Sequence, residues 1–300
     1  MMNWDFRNAD ELLKLCREND LPISEVMILR EMQLGKKRRE SIYERIDKNL
    51  RVMNVAVDKP ISDPLRSMGG LLGGEALKMK NLDKSKAVCG PTIHNAIVNA
   101  LAVAETNASM GVIVAAPTAG AAGVLPAALL SLYENHDISI EMLRNGFVAA
   151  SAIGYIITRN GSVAGAEAGC QAEVGSASAM TAAALVEMLG GTPEQCCEAA
   201  STALSNLLGL VCDPVRGLVE VPCQTRNTIG VVGAFTAAEL ALADVGLKVP
   251  LDEMIQIMCD VGRTLPESLR ETAKGGCAVA PSLCAVCGRE AALSKVRADM

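Results

Sequence analysis

Aromatic residues are nearly missing from this 300-residue chain, which has three Phe, three Tyr and one Trp. A core without large rings must be packed from Ala, Val, Leu, Ile and Met, with 26 glycines allowing close approach. Histidine is scarcer still: His94 and His136 are the only two, which leaves few groups for acid–base work near neutral pH. There is no basic stripe, and the net charge of −6 argues against nucleic acid or an acidic membrane surface as a partner. Nor is there an unbroken apolar run long enough to span a membrane. Pro117, Gly120, Gly123 and Pro126 interrupt residues 110–132, and Glu239 and Asp244 lie within 229–247, so no membrane insertion is expected. The opening "MMNWDFRNADELLKLCREND" is charged throughout instead of basic and then apolar. No secretory signal is expected, and residence in the reducing cytoplasm is.

Half of the residues are apolar, enough to bury a sizeable core in one large domain or two ordinary ones. Residues 1–60 show three- and four-residue apolar spacing and read as charged amphipathic helices, with Asn8 or Asp10 and Ser24 as N-caps. Residues 61–89, with Pro60 just before them, Pro64 within them and two Gly-Gly pairs, read as a loop-rich segment. Over 90–275, Ala-rich stretches alternate with Gly, Pro, Thr and Ser turns, and strand-like alternation is nearly absent. A Cys-containing tail follows over 276–300. The expectation is all-α: a single domain over 1–300, Ala/Gly-rich, with buried central helices and glycine-rich loops around a site.

Eleven cysteines are many for a chain in a reducing compartment, where clustered thiols more often bind metals or do redox work. Cys16 and Cys259 fall on helical patterns as filler, and Cys89 has no evident role. Adjacent Cys196 and Cys197 would point about 100° apart on a helix, which suits structural roles. Cys212 and Cys223 differ, because "CDPVRGLVEVPC" carries Pro214, Gly217 and Pro222 and should be a loop, with a helix starting near Asn227 or Thr228. That helix would aim its N-terminal dipole at an anionic cluster or substrate. Cys170 lies in another glycine-rich loop, "GAEAGCQAEVGSASAM". Three loop cysteines without a CxxC pair do not make a zinc ribbon. Their spacing is compatible with a three-cysteine [4Fe–4S] cluster but does not single it out, and small buried hydrophobes are the alternative. Cys284 and Cys287 form the one CxxC, preceded by Cys277.

The blocks "NASMGVIVAAPTAGAAGVLPAALL", "GAEAGCQAEVGSASAMTAAALVEMLGGTPEQ", "LLGLVCDPVRGLVEVPCQTRN" and "LRETAKGGCA" resemble the signature blocks of the α chain of bacterial iron–sulfur-dependent L-serine dehydratase, and the likeness spans nearly the whole chain. The resemblance implies a helical domain and an oxygen-sensitive [4Fe–4S] cluster held by Cys170, Cys212 and Cys223. It implies L-serine as substrate, with pyruvate and ammonia as products. Family members occur as a fused chain or as separate α and β chains, and the β portion's "SSSHT"-like motif is absent here. A β-chain partner is therefore implied, in a heterodimer or higher oligomer. Three positions depart from the family pattern: a small residue would be expected at Arg216 and apolar ones at Lys274 and Cys277. The Cys284/Cys287 pair is also unusual. A family tail that fills the open iron position would need Cys277, Cys284 or Cys287 to serve here.

The chemistry so implied is removal of a Cα proton and expulsion of hydroxide, for which a Lewis acid on the hydroxyl is apt. A seat for the substrate carboxylate is expected at "PTAGAAG" (117–123), where Thr118, Ala119 and Gly120 offer backbone N–H groups and a hydroxyl, with Asn107 and Ser109 as neighbours. A plain N-cap with packing glycines is the alternative for that stretch. The general base is expected on the β chain, His94 being the candidate within this one. Asp213 and Glu220 would support the cluster loop by hydrogen bonds, and Lys274 reads as a helix C-terminal charge cap. A pyridoxal-phosphate enzyme would need a Schiff-base lysine motif and a tetraglycine-like loop, which the chain lacks. A non-catalytic cluster- or metal-binding helical subunit is the second reading, and an unrelated all-α protein the third.

Overall fold

The computed structural model describes residues 2–286 and is all-α. Cys287 and the Cys284 side chain lie outside the described part. The first helices are α1 (Ala9–Asn19), α2 (Ile23–Gly35) and α3 (Arg39–Ser62). Asn8 caps α1, its side chain accepting from the Glu11 N–H at 2.8 Å. Ser24 does not cap α2. The helix opens behind Pro22, whose ring fixes an extended entry, and Ser24 is buried in the first turn with its N–H turned toward Glu187.

Residues 63–90 are mostly turns around the short α4 (Glu75–Lys80). The body follows as α5 (Pro91–Ala108), α6 (Val124–Asn135), α7 (Ile140–Asn160), α8 (Gly165–Ala168) and α9 (Ser176–Met188). It continues as α10 (Pro193–Ser205), α11 (Cys223–Leu242), α12 (Leu251–Thr264) and α13 (Pro281–Val286). No sheet forms among the described residues, only isolated bridges at Arg66–Gly73 and Cys212–Arg270.

Helix α9 is the axis of the core. Every residue of it but Glu187 is buried, and α6, α7, α10 and α11 surround it. Small side chains make that possible, because Ala and Gly let helix backbones approach closely and large neighbours fill the gaps. A Cβ on Gly146 of α7 would sit 2.5 Å from Met188 Cγ, so the α7–α9 contact depends on its absence. Helix α7 is the one helix among the described residues long and apolar enough by composition to cross a membrane. Here its apolar surface packs on α2 and α9, and its Arg144 pairs with Asp47 at 2.7 Å.

Three segments between the long helices, 109–123 before α6, 161–175 before α9 and 206–222 before α11, are tied together by hydrogen bonds. The Ala116–Pro117 and Val221–Pro222 peptide bonds in them are cis.

Candidate active site

Cys170 stands just before a π-helical turn, Gln171–Gly175, that runs into α9. Such turns widen a helix locally and recur at functional sites. The Gln171 N–H donates to the Leu210 carbonyl at 2.9 Å, and its side chain bridges the Gly209 N–H and the Met258 carbonyl. The Cys170 and Cys212 segments therefore run side by side. Cys212 is held by its own backbone, its N–H donating to Leu269 and its carbonyl accepting from Glu271. Cys223 is the first residue of α11. This corrects the expected helix start near Asn227 or Thr228: the turn completes at Pro222, and the helix begins at once. The N-terminal end of α11 is thus at Cys223 itself.

All three sulfurs are free thiols, two buried and Cys223 half-buried. Burial pushes Cys170 up to about 12, with Glu173 adding to the shift. Burial likewise pushes Cys223 up to about 12, helped by Cys170 and Glu173. Cys212 is raised well above the usual thiol range by burial, Glu173, Cys170 and Cys223. The three are close enough that each ionised thiol would repel the next. Arg226, one turn along α11 from Cys223, faces Cys170 and opposes the shifts at Cys170 and Cys223. Its Nη1 donates to the Val211 carbonyl at 2.7 Å, and its Nη2 lies 2.6 Å from Asp213 Oδ1, a close ion pair not aligned as a hydrogen bond.

The 117–123 loop is brought to the same place. Asn227 grips it from α11: the side chain donates to the Gly120 and Cys223 carbonyls at 2.8 Å each and accepts from the Gly123 N–H at 2.9 Å. Asn107, Ala119, Gly120 and Cys223 share a small crevice with Asn227. The expected side-chain donors are already engaged. Asn107 Nδ2 donates to the Ala119 carbonyl, Thr118 Oγ1 to Glu173, and Ser109 Oγ to the Arg66 carbonyl. The backbone N–H groups of Thr118, Ala119 and Gly120 have no acceptor among the described residues.

Glu173 lies at the centre, with Oε1 accepting from Thr118 at 2.9 Å and Oε2 3.7 Å from Cys212 Sγ. Burial raises its carboxyl above the ordinary range, with Glu271 adding to the shift and Thr118 and Cys212 opposing it. Asp213 and Glu220 hold the 212–223 segment in place rather than the sulfurs. Asp213 accepts from the Cys277 N–H at 2.6 Å, and Glu220 accepts from Ser67 Oγ and the Gly69 and Leu71 N–H groups. His94 is placed elsewhere. It lines a cleft with Lys80, Lys84 and Glu134, about 20 Å along α5 from Asn107. His136 is exposed and meets Thr92. Lys274 is exposed and pairs with Glu267 at 2.9 Å outside any α-helix, so it is not a helix cap. Sequence reasoning missed Glu173 and Arg226 and used Asn227 only as a helix boundary. The available signal was a polar side chain within a few residues of a singled-out cysteine: Glu173 three after Cys170, and Arg226 and Asn227 three and four after Cys223.

No three His, Cys, Asp or Glu groups among the described residues converge as a single metal ion would require. A cubane cluster presents a separate iron to each thiolate and asks for sulfurs set apart around a common volume. Three soft donors on three segments, each kept protonated by burial and by its neighbours, fit that demand. A cationic metal core reverses the penalty on the thiolates.

Residues 18–278 match the family model described as serine dehydratase alpha chain. The "Probable L-serine dehydratase, alpha chain" of Bacillus subtilis is 47% identical over 278 residues, 92% of each chain. The "L-serine dehydratase, alpha chain" of Peptoniphilus asaccharolyticus is 43% identical, over 90% of this chain and 93% of its own. The "L-serine dehydratase" of Streptomyces coelicolor is 40% identical over 93% of this chain, and the match covers 62% of that longer protein.

Proposed function

This chain belongs to the serine dehydratase alpha-chain family, and on that premise we propose that it is the cluster-bearing subunit of an iron–sulfur L-serine ammonia-lyase. Working with a separate β chain in the cytoplasm, it converts L-serine to pyruvate and ammonia. The observation that carries the reading is the meeting of Cys170, Cys212 and Cys223 beside a loop of unpartnered backbone N–H groups. These cysteines would hold a [4Fe–4S] cluster, which supplies a Lewis acid for the substrate's β-hydroxyl, a poor leaving group.

The chain's own residues do the rest of the binding. The Thr118, Ala119 and Gly120 N–H groups receive the substrate carboxylate, and Asn107, Thr118 and Asn227 keep the loop rigid by the bonds described above. Ser109 anchors the preceding turn to Arg66. Arg226 offsets negative charge gathering on the thiolates. Both histidines lie apart from the thiols, and the general base for the Cα proton is assigned to the β chain.

The test is anaerobic purification with the β chain, followed by iron and sulfide analysis and a pyruvate assay with L-serine. About four irons per α chain and air-sensitive, serine-dependent pyruvate formation are expected. Iron-free protein that turns over equally well would refute the reading. Iron-loaded protein with no turnover would favour the non-catalytic subunit.

A further inference from the structure

We infer that Glu173 binds the α-ammonium group of the substrate and so makes the site select amino acids over hydroxy acids. The inference rests on the dehydratase reading and deepens it.

The carboxylate occupies space that two glycines leave open. A Cβ on Gly120 would lie 3.1 Å from its Oε1, and one on Gly165 would lie 2.7 Å from its Oε2. Its contacts are a hydroxyl, Thr118 Oγ1, and a thiol, Cys212 Sγ. Neither carries positive charge, and a carboxylate has room for about four donors. No Lys, Arg or His pairs with Glu173 among the described residues. The guanidinium beside the thiols, Arg226, is committed to Asp213 and the Val211 carbonyl.

Glu173 is half-buried, and the fully buried acids near this region are served better. Glu220 accepts from one hydroxyl and two backbone N–H groups, and Glu105 accepts from the Gly74 and Ala76 N–H groups. Glu173 is thus a desolvated carboxylate lacking a cation, beside three sulfurs that add negative charge once they act as ligands. Such a group is costly unless a ligand brings the compensating charge.

An α-amino acid carries both groups that are missing. Its carboxylate fits the unpartnered 118–120 N–H groups, and its ammonium, on the same carbon, falls beside a side chain that already touches that loop at Thr118 and Gly120. A 2-hydroxy acid would satisfy the loop and leave Glu173 unpaired. A bare metal ion fits less well, because no third ligand converges there among the described residues.

The experiment compares the α–β enzyme with its Glu173→Gln variant under anoxia. It measures iron and sulfide content, KM for L-serine, and inhibition by L-glycerate, which replaces the ammonium with a hydroxyl. With iron content unchanged, KM should rise at least tenfold, and the ratio of the L-glycerate inhibition constant to the L-serine KM should fall at least tenfold. An unchanged ratio overturns the inference. If Glu173→Gln does not load iron, Glu173→Asp takes its place. Its carboxylate, drawn back by one methylene, should lower the same ratio at least threefold, and an unchanged ratio again overturns the inference. Loss of iron from both variants also overturns it, because the carboxylate would then be a support for the thiols. Failure of the unsubstituted enzyme to convert L-serine would instead count against the dehydratase reading itself.

Discussion

Each thiol of the trio sits on a different segment, so losing any one removes a ligand that no neighbour can replace. Cys170→Ala, Cys212→Ala and Cys223→Ala should each lose iron and pyruvate formation together. Cys196→Ala, fully buried in α10 but remote from the trio, should keep both at a cost of about 1 kcal/mol in stability. Iron analysis and activity on the four variants decide this, and similar iron in all four would refute the ligand assignment. Asn227→Ala removes three hydrogen bonds and strands the buried Gly123 N–H. It should cost roughly 2 kcal/mol and raise KM more than it lowers kcat, because the loop it grips binds and does not react. The cysteines were legible in the sequence because the residue type carries its chemistry wherever it stands. Glu173, Arg226 and Asn227 were not. Their roles come from Thr118, Asp213 and Gly120, which lie 13 to 107 positions away and which only the fold brings near.

Among the helices, the α7–α9 pairing shows what the small-residue composition does. At Gly146 an added methyl meets Met188 at Cγ and Sδ and also the Ala184 carbonyl, none of which is a free side-chain end. At Gly154 the nearest atom is the Met180 Cε tip, 2.8 Å away, which can swing aside. Ala favours a helix over Gly by about 1 kcal/mol. Gly154→Ala should therefore be near neutral, whereas Gly146→Ala should destabilise by about 1–2 kcal/mol net of that gain. Urea midpoints compare the two, and an equal loss at both would show that the contact with Met188 does not limit helix approach. The Ala-rich runs and their breakers made the helices legible, and Asn8 was legible as the cap of α1, because helix period and cap chemistry are local. Two helix starts were misplaced. Pro22 and Pro222, not Ser24 or Asn227, set the entries to α2 and α11, since a proline's fixed φ suits the residue leading into a first turn. Of the three thiols read as loop residues, Cys212 alone lies in one: Cys170 is in helical backbone leading into the π turn, and Cys223 opens α11. The mutual placement of their segments was not legible, because hydrogen bonds such as Gln171 to Leu210 join them with no period to read.

Across the molecule, the N-terminal helices are fastened to the core through a carboxylate whose charge the fold disfavours. Glu187, the one α9 residue that is not buried outright, accepts from the Ser24 N–H where α2 begins, at 3.2 and 3.3 Å. Desolvation pushes its carboxyl from 4.5 up to about 7, with the Ser24 hydrogen bonds opposing the shift. A carboxyl raised in the folded state binds its proton more tightly there than in the unfolded chain. Its contribution is therefore full below about pH 4.5 and is lost as pH rises through about 7. Allowing for the part of the side chain that water still reaches, this amounts to about 1–3 kcal/mol. Glu187→Gln removes the titration while keeping an acceptor for Ser24. The variant should match the parent near pH 5 and exceed it by that margin at pH 8, as read from urea midpoints under anoxia. A difference that stays constant from pH 5 to pH 8 would mean that the α2–α9 junction does not sense this proton. The pH dependence of the whole molecule would then have to arise elsewhere, first at Glu105, Glu134 and Glu173, the other carboxyls that burial holds high.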